Sequence, residues 1–429
     1  MPLPDHPLRF MLANELHARP FPQVELPAQV AYLAIKPETD AARRDRALDR
    51  AHLLALLDRF GVAHPAPDAT HHFADLGRFR LKWESHTEFV TYTAFLPGLT
   101  ARPFDPAVFD EFPTDWLAEA PGVRLTSAIL RVERIPAVEA EINDRFGDWF
   151  VQESVAASRV LDGAAIVASD FRVDSAGHMR MGVFVGPDTG PRRVGRIVQR
   201  LCEIETYKSM SMLGFARARQ LGPQIGVLDT RLSQLVGELG TPDGAPEETL
   251  RGLLAISSEL ENLLVKSSFR FSATRAYEAI VHERIEVMRE ERVFGRQTLA
   301  EFMLRRFDPA MRTVEAAAKR LTNLAERSMR AGTLLSTRVD VDRSAQNQKL
   351  LESMDRRADM QLRLQRTVEG LSVVAISYYA VGLVGYVAEP LAEPLGLTKG
   401  VLLALITPPV VVGVWFMVHR IREKLAGGH

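Results

Sequence analysis

Residues 370–388, GLSVVAISYYAVGLVGYVA, and 400–418, GVLLALITPPVVVGVWFMV, contain no charged side chain. A helix of roughly 19 residues rises about 28 Å, close to the hydrocarbon thickness of a bilayer. Two such runs joined by a short turn predict a transmembrane hairpin at the C-terminal end. The alternative, a buried helical pair in a soluble core, is disfavoured because charge-free runs of this length are rare in soluble folds.

Working outward, the flanks set an orientation. Arg356, Arg357, Arg363 and Arg366 precede the first span, and Arg420, Arg422 and Lys424 follow the second. The connecting turn, 389–399, holds Glu389 and Glu393 against Lys399. The positive-inside rule then places both termini in the cytoplasm and the turn outside. The N-terminal stretch MPLPDHPLRFMLANELHARPFPQ is broken by prolines and has no apolar run of signal-peptide length, so no cleavable leader is expected.

Upstream of the hairpin, no proline interrupts the chain from Ala310 to Ala388. Asp308-Pro309 suits a helix start. The expectation is one helix whose portion 308–369 forms a stalk and whose end, 370–388, is the first span. Met311, Val314, Ala318, Leu321 and Ala325 recur at three-four spacing, which predicts packing against a partner helix. Asp342, Gln346 and Lys349 then fall where that seam would be apolar. A stalk in a larger bundle tolerates them better than a two-stranded coiled coil.

The remainder divides by period. Residues 1–30 are rich in proline and read as irregular. AQVAYLAIK (28–36) reads as a strand and residues 38–60 as an amphipathic helix, with Leu53, Leu54, Leu56 and Leu57 on one side. FADLGRFRLKWESH alternates, with Phe73, Leu76, Phe79, Leu81 and Trp83 as inward candidates. It pairs naturally with TEFVTYTAF as a hairpin. VRLTSAILRV (123–132) is a further strand, and residues 164–185 a second hairpin turning at 174–177. These elements predict an α+β domain over residues 1–190, compact from about 25 onward. Residues 192–221 and 225–239, a helix from Pro246 to Leu264 or beyond, 273–291 and 297–307 predict a helical region over 191–307. A short basic tail, 419–429, closes the chain.

Composition excludes some partners. Lys plus Arg number 53 against 54 Asp plus Glu, a net charge of -1. That balance gives no footing for nucleic-acid binding. The single Cys202 cannot form an internal disulfide, as suits a reducing compartment. No GxGxxG, GxxxxGK[ST], GxSxG or CxxC pattern occurs, so neither a cofactor nor an enzymatic activity is expected. His64, His71, His72 and His86 crowd the N-terminal part, yet no pair has HExxH spacing. In strand register Glu84, His86 and Glu88 would share one sheet face, read as a solvated face rather than a metal or catalytic site. Cys202 has no histidine or acid partner evident nearby and reads as an inert thiol.

Within the spans, Tyr378 and Tyr379 sit near mid-membrane, where a phenol requires a hydrogen-bond partner. Gly382 and Gly385 allow close helix approach. These four are candidates for helix packing or for a membrane path. Glu389 and Glu393 are candidates for an external mouth.

The segments EIETYKSMSML, REERVFGRQTLAEFMLRRFDPAMRT and LLSTRVDVDRSAQNQKLLESMDRRADMQLRLQRTVEGLSVVAISYYAVGLVGYVAE resemble bacterial membrane-anchored proteins catalogued as a domain of unknown function. That resemblance covers essentially the whole chain and implies the inner membrane as its location. A more distant, architectural similarity links the chain to CorA-type magnesium channels, homopentamers with a cytoplasmic α/β domain, a stalk helix and two spans. It implies a homo-oligomer, ion transport, and a divalent cation as partner besides the lipid bilayer. The Gly-Met-Asn motif of those channels is absent; Gly385-Tyr386-Val387-Ala388-Glu389 stands in its place. The alternative expectation is a scaffold or sensor for which the hairpin is only an anchor.

Overall fold

The computed structural model describes residues 3–15, 21–39, 41–238, 246–392 and 398–426. Among these residues nine strands form one mixed sheet: β1 (Ala28–Lys36), β2 (His71–Asp75), β3 (Arg80–Ser85), β4 (Val90–Pro97), β5 (Val123–Arg134), β6 (Ala156–Val160), β7 (Ala165–Val173), β8 (Met179–Val185) and β9 (Glu291–Arg292). Their order is β2-β3-β4-β1-β5-β8-β7-β6-β9. The β5–β8 pair is parallel and joins two antiparallel halves. The helices are α1 (Arg9–Glu15), α2 (Arg46–Arg59), α3 (Thr114–Ala118), α4 (Glu141–Trp149), α5 (Pro191–Glu238), α6 (Pro246–Glu286), α7 (Leu299–Arg306), α8 (Asp308–Ala392) and α9 (Lys399–Ala426).

Alternation along β1 sorts the two faces of the sheet. Ala31, Leu33 and Ile35 join Leu81, Trp83 and Tyr92 in a core closed by Leu53, Leu56 and Leu57 of α2 and by Trp116 of α3. Tyr32 points the other way, to α5, where its hydroxyl meets Thr206 Oγ1 at 2.5 Å. A second core gathers Ile129, Ile166 and Phe184 under Ile142, Phe146 and Trp149 of α4.

Several local expectations change. Residues 9–15, read as irregular, form α1. The helix expected from 38 begins at Arg46, because the Asp45 carboxylate caps the Ala47 N–H at 2.8 Å. The run 71–86 is two strands, not one. Gly77, at φ +81, makes a tight turn whose N–H donates to Asp75 Oδ1 at 2.9 Å. Phe73, expected inward, is 45% exposed on this edge strand. The helical segments expected either side of Gly222-Pro223 are one helix, α5, with Pro223 inside it. A proline there forfeits one backbone hydrogen bond and costs about 3 kcal/mol. Buried Ala218, Leu221, Ile225 and Leu228 on both sides hold it straight through. Likewise the helix expected from Pro246 to Leu264 or beyond and the segment expected from 273 are one helix, α6, unbroken to Glu286.

The chain divides into two compact units, Met1–Gly244 with Arg251–Gly332, and Ala245–Leu250 with Thr333–His429. The first unit takes in the sheet together with the helices after residue 190, since α5 packs along β5 and β9 joins the sheet at β6. Of the expected seam of α8, Met311, Val314 and Leu321 are buried and Ala318 and Ala325 half-buried; Leu324, Ala331 and Leu335 are buried as well. From Asp340 to Val368 every residue is exposed, in keeping with the polar positions at Asp342, Gln346 and Lys349.

His52 links the first core to pH. Its Nε2 lies 3.0 Å from the Trp116 carbonyl, an acceptor only, so Nε2–H donates; Nδ1 then accepts from the Tyr92 hydroxyl at 2.9 Å. Burial lowers its pKa below the ordinary 6.5, as it does for His72 and His178. Between the lowered folded values and 6.5 the unfolded chain binds more protons, so stability falls as pH drops below about 6.5. The expected slope is up to about 1.4 kcal/mol per pH unit for each such histidine. Urea midpoints at pH 7.5 and 5.5 should show the fall, and His52→Gln should lessen it. An equal fall in that variant would remove His52 from the account.

Candidate functional site

Two places were marked by the sequence, the hairpin and the Glu84–Glu88 region. In the hairpin, α8 and α9 pack along a seam that holds Ser377 and Val414, both buried. Gly385 belongs to it: a Cβ there would lie 2.8 Å from Leu403 Cδ2. Gly382 faces open space, with no atom within 4 Å of such a Cβ. Tyr378 and Tyr379 are 79% and 71% exposed, their rings 5.8 Å apart. Glu389 is exposed and pairs with Lys399 at 2.7 Å. Glu393 lies outside the described residues. Gly385 therefore serves contact between the two helices, whereas both tyrosines present their rings away from it.

The Glu84–Glu88 region is not a wet sheet face. Glu84 is 9% exposed and Glu88 1%. β3 ends at Ser85, so His86 and Glu88 belong to the turn into β4 rather than to the strand. The cover is α5, with α6 beside it. Alternation sends Lys82 and Glu84 of β3 and Thr91 and Thr93 of β4 toward α5, whose Gln199, Cys202, Glu203, Thr206 and Tyr207 complete a polar cleft. Lys82 Nζ donates to Gln199 Oε1 at 2.8 Å and pairs with Glu84 at 3.1 Å. Glu203 accepts from the Gln199 amide at 2.7 Å and from Arg284 of α6 at 2.5 Å. At the far end Glu88 accepts from Arg270 and, at 2.9 Å, from the Tyr277 hydroxyl. Tyr277 stacks on Tyr207 with centroids 5.6 Å apart.

These groups answer one another. Burial pushes the Cys202 thiol well above the thiol range, so no thiolate is on hand and the inert reading of the sequence fits its surroundings. Burial likewise raises Tyr32 and, aided by Glu88, Tyr277. Burial lowers Lys36 at the same end, helped by Arg270. The cavity left among them is about 20 Å³, room for one water. Among the described residues no three His, Cys, Asp or Glu side chains group as metal ligands. The cleft is a satisfied polar layer between sheet and helices. Arg270, Tyr277 and Arg284 escaped sequence reasoning; each is an ordinary residue on a long helix, and nothing near it in sequence names its partner.

The family model described as "Protein of unknown function (DUF3422)" matches residues 4–425. Comparison with curated proteins finds no match.

Proposed function

From the premise that this chain belongs to the family matched over residues 4–425, we propose that it is a two-span inner-membrane protein. Its hairpin anchors the mixed-sheet unit at the cytoplasmic surface. One observation carries the reading. The apolar windows of the two C-terminal helices are only 6% buried each. Helices of a soluble core with that composition are mostly buried. Here Leu371, Val374, Leu383, Val387, Leu405, Val412 and Phe416 are all exposed. Lipid is the solvent that makes such faces favourable.

The basic flanks support cytoplasmic termini, and Glu389 with Lys399 marks the outer turn. A cysteine replacing Glu389, in a Cys202→Ala background, should react in intact cells with a membrane-impermeant thiol reagent. Labelling only after lysis would refute the orientation.

A second reading, ion conduction by a homo-oligomer, draws on the exposure of Tyr378 and Tyr379. Phenols at mid-membrane require partners, and neighbouring copies would supply them. Gly382, open in one chain, would then face the common axis, and Glu389 and Glu393 its outer mouth. Protein in liposomes should pass cations, and Glu389→Gln should lower the flux. A monomer in detergent with no flux leaves the anchor alone.

A further inference from the structure

Where β5 meets β8, the sheet leaves a notch. Their parallel pairing starts at Ala128 opposite Met179, so the first residues of β5 extend past the beginning of β8. On the other side β7 bulges between Ser169 and Val173. The bulge holds Phe171 at φ +50, a left-handed backbone that costs a non-glycine residue free energy and clusters at ligand clamps. Its ring stacks on Phe302 at 4.4 Å. The space beneath α5 is about 510 Å³, within the range of small-molecule pockets.

The lining is amphipathic. Leu125, Val173, Met179, Met212 and Leu213 form an apolar wall. The two methionines fit it to chains of varied shape. Its ionisable members are Arg124, Lys208 and Glu205. Lys208 is matched by Glu205 at 2.7 Å and lies 5.1 Å over the Phe171 ring. Arg124 has no acidic partner among the described residues. Its guanidinium lies against Gly177, where a Cβ would come within 2.6 Å of Nη2. Two cations thus face one acid, and a single negative charge completes the balance.

We propose that this notch binds a free single-chain monocarboxylate of the fatty-acid type. Its carboxylate pairs with the planar Arg124 guanidinium. Its acyl chain lies along the Met179–Met212 wall. The site uses no residue of the hairpin and stands apart from the anchoring reading.

The test uses the full chain in phosphatidylcholine nanodiscs with a diazirine-bearing decanoate, adducts being mapped by peptide mass spectrometry. Adducts should concentrate on peptides carrying Met179 and Met212. Arg124→Gln should lower them about tenfold, the loss of one charge-assisted pair. Arg124 is exposed, so that change leaves the core intact. Met212→Trp, which fills the notch, should abolish them with Arg124 in place. Plain decanoate should compete; decanol, and the phosphatidylcholine present throughout, should not. Labelling confined to residues 370–418, insensitivity to Arg124→Gln, or equal competition by decanol would each overturn the proposal.

Discussion

Replacing Arg270 by alanine should destabilise the mixed-sheet unit by about 3–5 kcal/mol, the cost of leaving one member of a buried ion pair without the other. Glu88 is 1% exposed and Arg270 reaches it with both terminal nitrogens. Without Arg270 the carboxylate keeps the Tyr277 hydroxyl as its hydrogen bond and only the Lys36 ammonium as a nearby charge. The same logic predicts that the pair as a whole contributes much less than either deletion suggests. Glu88→Gln combined with Arg270→Ala removes both charges and should recover much of the loss. The four-way comparison by urea unfolding should return a coupling of roughly 1–3 kcal/mol. If the double variant is no more stable than Arg270→Ala, the penalty came from lost packing of the arginine stem and not from the stranded acid.

That pair marks the boundary of what the sequence could disclose. Strand β1 was legible to the residue, since Val30, Tyr32, Leu33 and Ile35 mark a short apolar run bounded by Pro27 and Pro37. The long helix α8 was legible too, because nothing from Ala310 onward interrupts it until the outer turn. Both signals are local. Alternation in β3 and β4 showed which side chains share a face, and it could not show what lies over that face. Glu88 meets Arg270 at a separation of 182 residues. The cover that turns a wet face into a polar interior arrives with α5 and α6. Strand β6, AASRV, has small residues buried on both sides and no period to betray it. β9 is two residues whose pairing exists only because β6 is there. Pro223 misled in the opposite sense: a strong local breaker was outweighed by tertiary burial on either side.

The same distinction governs how the candidate sites are read. The cleft under α5 combines histidine, thiol, lysine and three acids, a set that in sequence suggests chemistry. In space each charge has a protein partner, and the room left is that of one water. The notch beside the β7 bulge has poorer residue types and better physics. It has volume, an apolar wall, a strained phenylalanine and an arginine with no acidic partner among the described residues.

A chain ending at Glu369 should leave the membrane pellet completely and appear in the supernatant with its cooperative melt retained. The buried seam of α8 ends at Leu335. The first unit closes by Gly332. Residues 340–368 are exposed throughout and contain Asp342, Arg343, Arg356, Arg357, Asp359 and Arg363, so their removal from the bilayer costs nothing in solvation. The two spans place large apolar side chains outward with no charged residue among them, Leu371, Ile376 and Val387 included. Burial of such side chains in hydrocarbon is favourable by roughly 0.3–0.6 kcal/mol each for Leu, Ile, Phe and Val, and two spans of them hold the full chain firmly. The alternative architecture, a hairpin folded into a soluble core, predicts the reverse. There the truncated chain would lose core contacts, melt without cooperativity and aggregate, while the full chain would be released from membranes by alkaline carbonate. Fractionation and a thermal melt of both chains decide between them: the anchor reading requires a soluble, cooperative 1–369 and a carbonate-resistant full chain.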